Sequence, residues 1–110
     1  MMAKHKFGMM PHAPQNSVRY DEYEPKRYHC IGVEDDIIET VDPLFCEIPM
    51  FWHTTDVLGK GLAYCGITLI PPDASRKMLE VLPENSELNQ LRTLLKTAYT
   101  SEQWVIHFGI

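Results

Sequence analysis

The chain has 110 residues, 45% hydrophobic and 23% charged, with a formal net charge of −5. That length fits one domain with one core and leaves little room for a second. With no basic stripe, the charge pattern argues against a nucleic-acid binder and against attachment to an anionic membrane.

The charge is unevenly spread. Residues 21–47 carry nine acids against Lys26 and Arg27, while residues 1–20 hold three bases and no acid. The N-terminal residues lack the long apolar core of a signal peptide. The longest apolar run, Leu62–Ile70, is too short to span a bilayer. Cys30, Cys46 and Cys65 are odd in number, contain no CxxC pair and sit beside apolar residues. They read as reduced, buried thiols of a cytoplasmic protein.

Lys6–Met10 reads as a first strand, ended by Pro11 and Pro14. Residues 11–27 are polar and aromatic without a period. They predict a long loop or arm that wraps the domain or a partner subunit, anchored by Tyr20, Tyr23 and Tyr28. Tyr28–Val33 reads as a second strand. Asp35 or Asp36 then opens a helix as its cap, with Glu39 completing a capping box. Ile37, Ile38, Val41, Phe45 and Ile48 keep helical spacing. Pro43 predicts a break at Asp42–Pro43.

Met50–Thr54 and Leu62–Ile70 are rich in aromatic, β-branched and aliphatic residues. With two glycines between Asp56 and Gly61, they predict a hairpin. Setting Asp56 opposite Gly61 places Trp52 opposite Cys65 and His53 opposite Tyr64. Gly66 would leave room for a ring. Pro71–Pro72 stop the second strand, and Asp73 caps a helix over Ala74–Leu82 with Ala74, Met78, Val81 and Leu82 inward. A longer helix covers Ser86–Tyr99 through Leu88, Leu91, Leu95 and Ala98. Gln103–Ile110 closes the chain as a strand, with Val105 and His107 on one face and Trp104, Ile106 and Phe108 on the other.

The expected fold is α+β. It is a single small domain, with a mixed or antiparallel sheet of about five strands and helices packed on one face. The hairpin would lie near the sheet centre, and the second face would be covered by the long loop or another subunit.

No phosphate loop, dinucleotide fingerprint, nucleophile elbow or CxxC motif occurs, and the reading includes no cofactor. The catalytic candidates are His53, Tyr64 and His107. A histidine beside a phenol can move protons near neutral pH. Arg19 and Tyr20 are candidates for anion binding, since arginine offers a bidentate fork. A metal set of His29, His53 and His107 has the right ligand type but no HxH or HExxH spacing, so the metal assignment is none. Cys65 would act as a nucleophile only with an exposed sulfur and a nearby base. Its predicted strand position opposite Trp52 points to core packing. The acidic run Glu34, Asp35, Asp36, Glu39 and Asp42 lacks calcium-loop ligands and reads as helix capping.

The functional expectation is a non-catalytic module that self-associates or binds a partner, with a homo-oligomer as the natural form. The alternative is a small enzyme or ligand-binding protein for a small molecule, with a pocket around His53, Tyr64 and His107.

Overall fold

A computed structural model describes residues 3–110. Met1 and Met2, which belong to the stretch read for a signal peptide, lie outside the described residues. The elements are β1 (Lys4–Met9), β2 (Ile31–Glu34), α1 (Asp35–Phe45), β3 (Pro49–Trp52), β4 (Leu58–Lys60), β5 (Ile67–Ile70), α2 (Pro72–Val81), a 3₁₀ turn (Ser86–Leu88), α3 (Asn89–Thr100) and β6 (Val105–Phe108). The fold is α+β, with six strands in the order β2-β1-β6-β5-β3-β4 and every pairing antiparallel. No helix among the described residues is long and apolar enough to cross a membrane.

Strand alternation divides the core into two layers. On one face Phe7, Val33, Met50, Ile70 and Val105 pack under the helices, which contribute Ile38, Val41, Phe45, Met78, Leu88, Leu91, Leu95 and Ala98. On the other face Ile67, Leu69, Ile106 and Phe108 pack with Met10, Tyr28, Tyr20, Cys30, Phe51 and Trp104. Both faces being covered, β5 and β6 are buried along their whole length. The C-terminal strand therefore occupies the middle of the sheet, and the predicted hairpin lies toward one edge.

The second face is covered by the chain itself. Residues between Met10 and Ile31 form no strand or helix. The arm is tied down by Met10 N–H to Trp104 O at 2.9 Å and Tyr20 N–H to His53 O at 2.7 Å. Tyr23 and Tyr28 both meet the Phe108 ring, at 5.6 and 6.1 Å between centroids. Gly8 lets the arm seat closely on β1: a Cβ there would lie 2.6 Å from the Tyr28 carbonyl oxygen.

Three local expectations are corrected. First, β3 faces β5 with Trp52 opposite Thr68, not Cys65. This odd-numbered slip turns each β5 side chain to the opposite face from the one predicted. The cause is β4, which folds back on the outer side of β3 with Met50 opposite Gly59. Gly59 accommodates the Trp52 ring, 2.3 Å from where a Cβ would stand, and Gly61 supplies the left-handed turn at φ +76°. The connection is thus an extra strand rather than a tight turn, and Cys65 falls in an exposed turn instead of a strand interior. Cys46 is also exposed, so of the three thiols only Cys30 is even partly buried.

Second, α1 runs through Pro43 without a break. Proline removes the hydrogen bond to Glu39, but it lies in the last turn, and the buried stripe of Ile38, Val41 and Phe45 holds the helix against the sheet. Third, neither Asp35 nor Asp36 caps α1. Glu34 occupies the cap position without a side-chain bond, and Asp35 stands at the first helical position with its carboxylate engaged elsewhere.

Gly8→Val is expected to lift the arm from β1 and cost about 1–3 kcal/mol, the usual range for forcing atoms into a packed site. Limited proteolysis of the folded protein should then cut within residues 11–27 faster than in the parent chain, with chemical denaturation giving the stability loss.

Candidate functional site

A chain of hydrogen bonds crosses the sheet interior on the helix side. Ala63 N–H donates to Thr68 Oγ1 at 2.9 Å, and Thr68 Oγ1 lies 3.0 Å from His107 Nδ1. His107 Nε2 lies 2.9 Å from His5 Nδ1, and His5 Nε2 lies 3.0 Å from Asp35 Oδ1. The Tyr64 hydroxyl donates to the same Asp35 oxygen. His5, Thr68 and His107 are fully buried. Asp35 keeps a quarter of its side chain exposed.

Donor bookkeeping fixes the direction of this chain. The ionised Asp35 carboxylate can only accept, so His5 Nε2 carries the proton and His5 Nδ1 of a neutral ring accepts, which leaves His107 Nδ1 to accept the Thr68 hydroxyl proton. His107 then carries its proton on Nε2 and donates to His5 Nδ1, leaving His5 Nε2–H to donate to Asp35. Every ring nitrogen is satisfied with both imidazoles neutral and the carboxylate ionised. Burial pushes His107 down to about 3, in keeping with a neutral ring. The Tyr64 and His5 bonds hold Asp35 below its usual range. Burial, and then the bond to Asp35, raises the Tyr64 phenol.

The predicted catalytic trio is not gathered. Tyr64 and His107 belong to this interior chain, with the Tyr64 ring edge-on to His5 at 4.7 Å. His53 stands apart, beside the arm. Its Nδ1 lies 2.8 Å from Asp21 Oδ1 and 3.2 Å from the Tyr20 carbonyl, and its Nε2 accepts from Ile67 N–H at 3.4 Å. The register slip at β5 separates His53 from Tyr64, which the predicted hairpin had set opposite each other. The ring that Gly66 accommodates is that of His53, since a Cβ on Gly66 would lie 2.7 Å from Nε2. His29 lies on the arm at φ +51°, and no group of three or more metal-ligating side chains forms among the described residues.

Arg19 and Tyr20 border a polar hollow of about 490 Å³ beneath the arm, together with Gln15, Asp21, Glu24 and Arg27. Arg19 pairs with Asp21 at 3.0 Å and Arg27 with Glu24 at 3.1 Å, so both guanidinium groups are already neutralised. A smaller cavity of about 170 Å³ lies next to His53, bordered by Asp21, Tyr23, Cys65, Gly66, Ile67, Phe108 and Gly109. Burial pushes the Cys30 thiol up to about 11 and keeps it protonated.

Sequence reasoning missed two features. His5 lies one residue before the predicted first strand, yet it is the centre of the buried chain. The second is an uncharged groove of about 410 Å³ between α3 and the outer sheet edge, lined by Met9, Ile31, Asn89, Gln90, Thr93, Leu94 and Thr97. The run of uncharged polar residues on one side of α3 was its available signal, because Arg92 and Lys96 take the other side.

No protein-family model, curated protein or solved structure matches this chain.

Buried His107 gives stability a definite pH dependence. A histidine whose native state holds it near 3 takes up its proton in the unfolded chain near 6.5, so the unfolded state binds more protons between those values. Unfolding free energy should therefore fall as pH drops from about 6.5 toward 3, by up to about 1.4 kcal/mol per pH unit. Urea titrations across that range measure the slope, and His107→Leu should flatten it. At neutral pH, Thr68→Val should cost about 1–3 kcal/mol, because it strands the Ala63 N–H and His107 Nδ1, while Thr68→Ser should cost less.

Proposed function

We propose that this protein is a non-catalytic, self-associating module whose copies meet along the free edge of β2. The observation that carries this reading is the uncharged groove beside that edge. Interface centres are depleted of charge, and two copies each carrying −5 can approach closely only where charge is absent. The groove joins a second hollow of about 420 Å³ through Met9 and Leu94, which extends the accessible surface toward Tyr28, Gln103 and the Arg27–Glu24 ion pair.

The two sheet edges differ in a way that favours β2. At the opposite edge, β4 has only three residues, its Gly59 lies under the Trp52 ring, and Lys60 pairs with Glu47 at 3.6 Å. Short, charged edges discourage pairing. β2 is four residues long and half-buried, with Ile31 and Gly32 both accessible. A two-fold axis at Gly32 would set Ile31 of one copy beside Val33 of the other, on the groove side of the sheet. The free state of all three cysteines fits a reducing, cytoplasmic setting.

Sedimentation equilibrium over micromolar to millimolar concentration should give a dimer. Ile31→Arg and, separately, Thr93→Asp should each weaken the dimer at least about tenfold, the equivalent of 1.4 kcal/mol. Thr93 is exposed outside the core, so its replacement tests the surface without disturbing folding. A monomer throughout the range, or a dimer indifferent to both changes, overturns the reading.

A further inference from the structure

We propose a second site, apart from the self-association surface: Cys65 is a nucleophile served by His53 and Asp21, and it takes up one small uncharged acyl group, without turnover, in the 170 Å³ cavity they border. The argument begins with the imidazole. His53 Nδ1 faces two acceptors, Asp21 Oδ1 at 2.8 Å and Tyr20 O at 3.2 Å, so Nδ1 carries the proton. Nε2 is left with its lone pair, restrained only by a long 3.4 Å bond from Ile67 N–H. This is the tautomer required of a base whose second nitrogen is oriented by a carboxylate.

The placement of Nε2 is equally specific. It lies against Gly66, where a Cβ would come within 2.7 Å of it, and Cys65 is the next residue along the chain. Cys65 is exposed, whereas Cys30 is part-buried with a raised thiol pKa. His53 is held at φ +64°, a left-handed conformation rare for a non-glycine residue, by bonds from its own N–H to Ile67 O and from Tyr20 N–H to its carbonyl. Base, thiol and carboxylate thus come from three separate segments and border one cavity.

The step balances within these groups. Nε2 takes the Cys65 proton, and the sulfur pair forms a bond to the carbonyl carbon of an ester while the carbon–oxygen π pair moves onto the carbonyl oxygen, to return when the leaving group departs. The carbon–oxygen bond then breaks, and the departing alkoxide carries away the bond pair and recovers the proton from His53. Cys65 is left as a thioester. The cavity volume limits the acyl group to a few heavy atoms. The Asp21 carboxylate beside it disfavours anionic acyl groups.

The wild-type protein contains its own control, because Cys46 is also exposed but lies at the end of α1, away from His53. Treatment with p-nitrophenyl acetate, followed by peptide mass mapping, should acetylate Cys65 at least about tenfold faster than Cys46. His53→Gln should bring Cys65 down to the Cys46 rate, and Asp21→Asn should lower it partway, with circular dichroism confirming that both variants fold. Equal acetylation of the two cysteines in the wild-type protein overturns the proposal, as does a Cys65 rate unchanged in folded His53→Gln.

Discussion

The directed hydrogen-bond chain from Ala63 to Asp35 is the constraint on which the rest of the structure depends. It joins β1 through His5, β6 through His107, β5 through Thr68, α1 through Asp35 and the β4–β5 connection through Ala63 and Tyr64. Apolar packing alone would tolerate a sheet slipped by two residues, since the same face stays inward. A buried polar group tolerates no such slip, because each unpaired donor or acceptor costs free energy comparable to a lost hydrogen bond. The chain therefore specifies one register among several that hydrophobicity would accept. Its closure at a partly exposed carboxylate explains how a neutral imidazole pair and an ionised acid coexist without an uncompensated buried charge.

The same constraint bears on chemistry. An interior in which every ring nitrogen is already bonded has no free lone pair for a substrate, so His107 and Tyr64 serve the fold. The group with a weakly engaged lone pair is His53, which lies among residues of the arm. The arm thus has two roles. It covers the second face of the sheet through Tyr20 and Tyr28, and it brings Asp21 to the imidazole. Both depend on the close seat of the arm on β1 that Gly8 permits.

Helix positions, the irregular arm and the C-terminal strand were legible in the sequence, because each rests on local periodicity or on proline and glycine chemistry. The inward stripe Leu88, Leu91, Leu95 and Ala98 was read directly and is fully buried. The alternation of Val105 and His107 against Ile106 and Phe108 was equally clear. Pro43 was misread as a break because local propensity was weighed without the packing of α1 on the sheet. The acids opening that helix were read as caps, and Asp35 was drawn instead to Tyr64 and His5, partners that sequence distance conceals.

What the amino-acid sequence determined by itself was the class of fold and the inventory of elements, since these follow from short-range spacing and backbone preference. Tertiary structure alone decided which polar residues meet. His5 and His107 are separated by 102 positions in the chain, and His53 and Tyr64 by only eleven, yet the first pair is joined and the second is not. The physical reason is strand order and register: inserting β4 beside β3 changes which face each side chain of β5 presents, and no local signal encodes that choice.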